Sequence, residues 1–273
     1  MKKALAIFIL FALIIPMVVP VVAMAKGNDT GNNKYAVVIG IANYPGKAND
    51  LWHADEGARE MAKALVNEYG FARDNIKLLL NGDATLEGIG AAIAWLEYME
   101  NSDSTVVFYF SGHSFQIPDE GYPELGIGPL DSDTEADGYD EGIGSYDGYP
   151  IVDSLLGAAF STFESQKMTI ILDGCNTGGM LDEGELVADG RVVCTAAGAD
   201  QLAWDSPNNG STVFSYAFAD QAILKGKADG LLGQYGDGVS MEEALAYAYY
   251  YVTAAIPNSE PQIYDGYAGE LVL

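Results

Sequence analysis

Short apolar runs rich in β-branched residues alternate along the chain with segments whose apolar residues recur every three to four positions. Residues 35–41 read Tyr-Ala-Val-Val-Ile-Gly-Ile, a run apolar on both faces, as strands buried inside a parallel sheet are. Ala54, Ala58, Met61, Ala62, Leu65 and Val66 then mark one face of a helix over residues 54–69. Residues 76–80 predict a second strand. Thr85 is placed to cap a helix carrying Leu86, Ile89, Ile93 and Leu96 on one stripe. Residues 105–110 (Thr-Val-Val-Phe-Tyr-Phe), 168–173 (Met-Thr-Ile-Ile-Leu-Asp) and 191–195 (Arg-Val-Val-Cys-Thr) predict three further strands. Helices are expected over residues 151–163, near 212–224 and over 240–254, with short strands at 261–264 and 271–273. Strand–helix alternation of this kind predicts an α/β domain with a mainly parallel central sheet and helices on both faces.

Two stretches lack any period. Residues 114–150 are rich in Gly, Asp, Glu, Pro and Tyr and are expected to form a long functional loop. Residues 176–189 predict a second, acidic loop. The first 25 residues differ again. Lys2 and Lys3 precede an apolar run that ends in Ala23-Met24-Ala25, followed by polar Lys26-Gly27-Asn28-Asp29. That is the form of a secretory signal peptide; the same run is long enough to serve as a membrane anchor. Either reading places the domain outside the cytoplasm, secreted or at the cell surface. The domain is expected over residues 35–273, after a linker at 26–34.

The net charge of −26 argues against nucleic acid or an anionic membrane as partner and favours cations and basic peptides. There are two cysteines, Cys175 and Cys194. In an exported chain they could pair, but the surroundings of Cys175 favour a free thiol.

The candidate chemistry lies at two strand ends. The third strand closes in Ser111-Gly112-His113-Ser114, and the fourth in Asp173-Gly174-Cys175-Asn176-Thr177-Gly178-Gly179. In parallel sheets, sites form at the carboxyl ends of strands, where strand order reverses. Were these strands neighbours, about 4.8 Å apart, His113 and Cys175 would face one cleft, and a thiol needs such a base to react at neutral pH. The other histidine, His53, follows Trp52 in a loop and reads as structural.

These blocks, with the opening Val37-Val-Ile-Gly-Ile-Ala-Asn-Tyr44 and Pro261-Gln262 near the end, resemble the caspase-like cysteine peptidases, nearest in motif to metacaspases. The resemblance implies a caspase-like three-layer sandwich and hydrolysis of a protein or peptide substrate. Cys175 would be the nucleophile, His113 the acid, and the backbone N–H groups of Ser114 and Cys175 the oxyanion donors. It implies a substrate-binding role for Asp173 and Ser111, hence cleavage after Arg or Lys. A second pocket aspartate of metacaspases falls on Gly57 here. The alternative is a catalytically silent extracellular binding domain. A serine hydrolase using Ser111 or Ser114 lacks the usual Gly-x-Ser-x-Gly elbow.

No cofactor is required by this chemistry. The alternating carboxylates Asp131, Asp133, Glu135, Asp137 and Asp140 do resemble the start of a calcium loop, although the twelfth position from Asp133, where Glu is expected, holds Gly144.

Overall fold

A computed structural model of the protein describes residues 33–123, 128–130, 138–181, 186–206, 208–233 and 235–273. The expected signal segment 1–25, and the linker up to residue 32, lie outside the described residues. Among the described residues, no helix is long and apolar enough to cross a membrane.

The central sheet is formed by β1 (Lys34–Gly40), β2 (Ile76–Leu80), β3 (Thr105–Ser111), β7 (Met168–Asp173), β8 (Arg191–Thr195) and β11 (Gln262–Asp265), in the order β11-β8-β7-β3-β1-β2. All neighbours are parallel except β11, which runs antiparallel to β8. β1, β3 and β7 are buried almost without a break, because helices cover both faces. Alternate residues therefore serve two cores. Ala36 and Val38 of β1 pack with Met61 and Leu65 of α1 (Ala54–Asn67), with Phe218, and with Leu245 of α5 (Met241–Ala255). Val37 and Ile39 pack on the opposite face with Ile89 and Leu96 of α2 (Leu86–Met99) and Phe160 of α3 (Asp153–Phe160).

Local chemistry fixes the helix ends. The Thr85 hydroxyl accepts from the Gly88 N–H, as expected of a cap. Ser240 and Glu243 form a reciprocal capping box at α5. At the start of α1 no side chain of its own caps the helix; the carboxylate of Asp205 instead accepts from the N–H groups of Trp52 and His53.

Three expectations need correction. The segment 114–150 is not a structureless loop: β4 (Ser114–Pro118), β5 (Tyr139–Gly144) and β6 (Pro150–Val152) form a small antiparallel sheet in the order β4-β5-β6. Its β5 strand buries Asp140 and Glu141, so polarity concealed the strand. The helix expected over 151–163 is the shorter α3, and Ile151 and Val152 belong to β6. Residues 271–273 are not a strand. Leu271 and Leu273 are buried, yet the tail is pinned at single points: the Leu271 N–H donates to Glu242 and the Leu273 carbonyl accepts from Lys34 Nζ. The helix expected near 212–224 begins as α4 (Val213–Ser215) and continues as a π-helical stretch, Tyr216–Leu224.

Candidate active site

The register brings the two candidate residues to one edge. Ser111 of β3 pairs with Asp173 of β7, and His113 and Cys175 each lie two residues further on. Cross-bonds tie the two loops together. The Gly112 N–H donates to the Asp173 carbonyl (3.2 Å), and the Ser114 hydroxyl donates to the Cys175 carbonyl. His113 thus sits between two residues that both hold the cysteine loop. A side chain at position 174 would not fit between them: its Cβ would come within 2.9 Å of Ser114 Cβ, which accounts for Gly174.

The imidazole is held from the loop that follows β1. His113 Nε2 lies 2.8 Å from the Asn49 carbonyl, and its ring packs against Tyr44 with centroids 4.7 Å apart. The Tyr44 hydroxyl also accepts from the His113 N–H at 2.9 Å. A carbonyl can only accept, so Nε2 carries a proton, and in the neutral ring Nδ1 is the accepting nitrogen. This contact spans β1 and β3, where strand order reverses: β2 lies on one side of β1 and β3 on the other.

Cys175 and Cys194 are both free thiols. Cys194 is buried within β8. Cys175 is partly exposed, and its Sγ lies 3.7 Å from the Ala203 carbonyl. Burial pushes the Cys175 thiol up from its ordinary value, the Ala203 contact opposes this, and Asp173 adds to it. The resting group is therefore a thiol at neutral pH. Asn176, the next residue, has a φ of 60°, a left-handed conformation that asparagine tolerates better than most residues. Its amide donates to Ala199 O (2.6 Å) and Gln116 Oε1 (3.1 Å), and Gln116 Nε2 donates to Glu141 Oε1 (2.6 Å). The turn bearing the thiol is thereby fastened to β4 and β5.

Ser114 lies in β4 and is absent from the positive-φ residues. Gly144 N donates to His113 O, so residues 113 and 144 form the hydrogen-bonded pair of this ladder. By the antiparallel alternation, the Ser114 N–H then faces away from β5, onto the open edge of β4.

Asp173 is buried and receives three hydroxyls on one oxygen: Ser111 at 3.2 Å, Ser215 at 2.5 Å, and Thr212. The Tyr109 hydroxyl lies 2.5 Å from Ser215 Oγ. Because the single hydroxyl proton of Ser215 goes to the carboxylate, Tyr109 is the donor in that contact. Burial raises the Asp173 carboxyl to about 6; the bonds from Ser215, Thr212 and Ser111 oppose the rise, and the charge of Asp205 adds to it. The sequence reading found Asp173 and Ser111 but missed Thr212, Ser215, Tyr44, Gln116 and Asp205. Thr212 and Ser215 carried one local cue, a Thr-x-x-Ser helix start: Thr212 caps α4 by accepting from the Ser215 N–H.

Gly57 cannot host a pocket aspartate in this arrangement. A Cβ there would lie 2.9 Å from Ser215 Cβ, Ser215 Oγ and the Tyr109 hydroxyl. Its neighbours point elsewhere: Asp55 accepts from Asn81, and Glu56 faces Arg59 at 3.5 Å. Of the expected calcium ligands, Asp131, Asp133, Glu135 and Asp137 lie outside the described residues, and Asp140 is buried on β5. Among the described residues, no group of three or more His, Cys, Asp or Glu is placed to hold a metal ion.

A parallel sheet covered on both faces, with a histidine and a cysteine at the ends of adjacent inner strands, defines the caspase-like class of α/β domains. The caspase domain family matches residues 33–249 of the chain, and the chain belongs to that family. Metacaspase-4 of Arabidopsis thaliana is 36% identical over 156 residues, covering 55% of this chain and 35% of the relative. Metacaspase-7 of the same plant is 30% identical over 217 residues, covering 77% of this chain and 48% of the relative. The chain thus spans between a third and a half of the length of these relatives. The crystal structure of protein GSU0716 from Geobacter sulfurreducens is similar with a TM-score of 0.63, at 17% identity, over 87% of this chain and 94% of that one; the likeness is one of fold.

Proposed function

We propose that this domain is a cysteine endopeptidase that cuts after Arg or Lys, using Cys175 as nucleophile and His113 as its proton partner. The observation that carries the reading is the pair of cross-bonds, Gly112 to Asp173 and Ser114 to Cys175, which sets both residues on adjoining strand ends. Cys175 Sγ passes its proton to His113 Nδ1 and forms a bond to the scissile carbonyl carbon. The carbonyl electron pair moves to oxygen, which the N–H groups of Ser114 and Cys175 would receive. Collapse of that adduct breaks the C–N bond, and His113 delivers a proton from Nδ1 to the leaving amine. Water then releases the acyl group from sulfur. No step passes through a metal.

Asp173, with Ser111 beside it, would floor the pocket for the residue ahead of the cut. A basic side chain meeting the carboxylate there forms charge-assisted bonds away from bulk water. Substrates of that charge also suit a chain whose net charge is −26. Residues 1–25 support export, with the domain acting outside the cytoplasm and off the membrane once that segment is removed.

The second reading, a silent binding domain, is favoured by one observation: burial holds the Cys175 sulfur as a thiol in the resting state. A panel of peptides with Arg, Lys, Asp or Asn at the cut site, with and without calcium, tests both. Cleavage after basic residues, abolished in Cys175→Ala, supports the peptidase. No cleavage, together with no faster iodoacetamide labelling of Cys175 than of a free thiol, supports the silent domain.

A further inference from the structure

We propose that Asp205 is the second acidic wall of the pocket floored by Asp173, and that the two together make the site prefer arginine to lysine. This rests on the peptidase reading and refines its substrate.

The placement of Asp205 follows from the short hairpin β9 (Asp205–Ser206) and β10 (Ser211–Thr212). Asp205 pairs directly with Thr212, and the Thr212 hydroxyl donates to Asp173. The segment leading into Asp205 passes the nucleophile, since Ala203 offers its carbonyl to the Cys175 sulfur. Only Trp204 separates the thiol contact from the carboxylate. The charge of Asp205 also reaches Asp173, helping to raise it.

The carboxylate of Asp205 is fixed rather than free to swing. One oxygen accepts from the Trp52 and His53 N–H groups, and the other from the Ser206 N–H at 2.9 Å. All three donors are neutral backbone groups, so the negative charge is oriented without being neutralised. Among the described residues neither pocket acid takes part in an ion pair such as Arg59–Glu56 or Lys225–Asp220. Two neighbouring carboxylates without a cation destabilise each other, and an incoming cation relieves both. A guanidinium is planar, with five N–H donors, and can address two carboxylates at once. An ammonium is a point charge that satisfies one acid well and the other poorly.

The test is the ratio of kcat/KM for matched Arg and Lys peptides in the wild type, Asp205→Asn and Asp205→Glu. Asparagine keeps an oxygen for the Trp52 and His53 N–H groups while removing the charge. The expected result is a loss of about tenfold on the Arg peptide and less than about threefold on the Lys peptide, with the preference for Arg kept in Asp205→Glu. An equal loss on both peptides would mean that Asp205 only braces the Trp52 loop, and would overturn the proposal while leaving the peptidase reading intact. A wild type that cuts neither peptide overturns both. Should Asp205→Asn fail to fold, competitive inhibition of the wild type by butylguanidine and butylamine replaces it. Tighter binding of the guanidine by about tenfold supports the two-acid pocket, and equal binding overturns it.

Discussion

Asp173→Asn should make the protein more stable at neutral pH while disabling it toward basic substrates. The wild-type carboxyl titrates at about 6 in the folded protein against an ordinary 3.8, chiefly because it is fully buried. In the unfolded chain it loses its proton near the ordinary value. The folded state therefore binds that proton more tightly, and stability falls as pH rises from about 4 to about 6. Above about 6 the whole cost is present, on the order of 3 kcal/mol for a difference of this size. Asparagine presents an oxygen to the Ser111, Thr212 and Ser215 hydroxyls but carries no charge, so the cost disappears. For a domain of this length the gain corresponds to a rise in Tm of roughly 5–10 °C at pH 7.5.

Thermal or urea unfolding of both proteins at pH 7.5 and pH 4 measures this. The other acids are common to both and cancel in the difference. The variant should be the more stable at pH 7.5 and equal to the wild type at pH 4, while cleavage after Arg falls by roughly a hundredfold. A variant that is less stable by the same amount at both pH values would refute the reasoning. Asp173 would then serve to fasten three hydroxyls at the strand end, and its charge would carry no cost to be released by function.

Four further outcomes follow from the same geometry. In the wild type, kcat/KM for an Arg peptide should rise as pH increases through about 6, as Asp173 ionises, and this rise should be missing from the residual activity of Asp173→Asn. Tyr44→Phe removes the acceptor of the His113 N–H; it should lower kcat about tenfold with little change in KM, and cost about 1–3 kcal/mol in unfolding experiments. Gly57→Asp should destabilise the fold by about 3 kcal/mol without improving cleavage after basic residues, because its Cβ meets Ser215 and Tyr109. Gln116→Ala releases the amide of Asn176 from β4 and should slow iodoacetamide labelling of Cys175 and lower kcat, and Gln116→Glu should restore neither, because its second oxygen would face the buried Glu141 carboxylate.

The strands that carry the site were legible because both of their faces are covered. Runs such as residues 105–110 and 168–173 carry apolar residues on both faces, which leaves few alternatives to an inner parallel strand. Their adjacency was conditional in the sequence and is met by the Ser111–Asp173 pairing. The small sheet was not legible. β5 contains Asp140, Glu141 and two glycines, so its inward residues are polar and the period of two is hidden. The end of the chain misled in the opposite sense: Leu-Val-Leu reads as a strand, but Leu271 and Leu273 are buried by packing into the core beside α5, and the backbone is held by separate bonds with Glu242, Met241 and Lys34 rather than by a ladder. Much of the pocket was hidden for another reason. Thr212, Ser215 and Asp205 lie 32 to 42 residues from Asp173 and meet it only through the β9–β10 hairpin and the start of α4, a meeting that no local pattern foretells.

The same register predicts that the site should tolerate little change in loop length. A parallel ladder fixes Ser111 opposite Asp173, and two residues on each strand then lead to His113 and Cys175. Adding one residue to either segment would shift that side chain toward the opposite face, as a one-residue slip does in any strand. It would also break the bonds from Gly112 and Ser114 that reach across to Asp173 and Cys175. Gly112 and Gly174 keep these segments close, for a Cβ at 112 would lie 2.7 Å from the Tyr44 hydroxyl and one at 174 would strike Ser114. The glycines are therefore needed for approach, not for flexibility. On the proposed mechanism, the polar residues beside them would hold the imidazole, the N–H groups and the buried acid in place before substrate arrives.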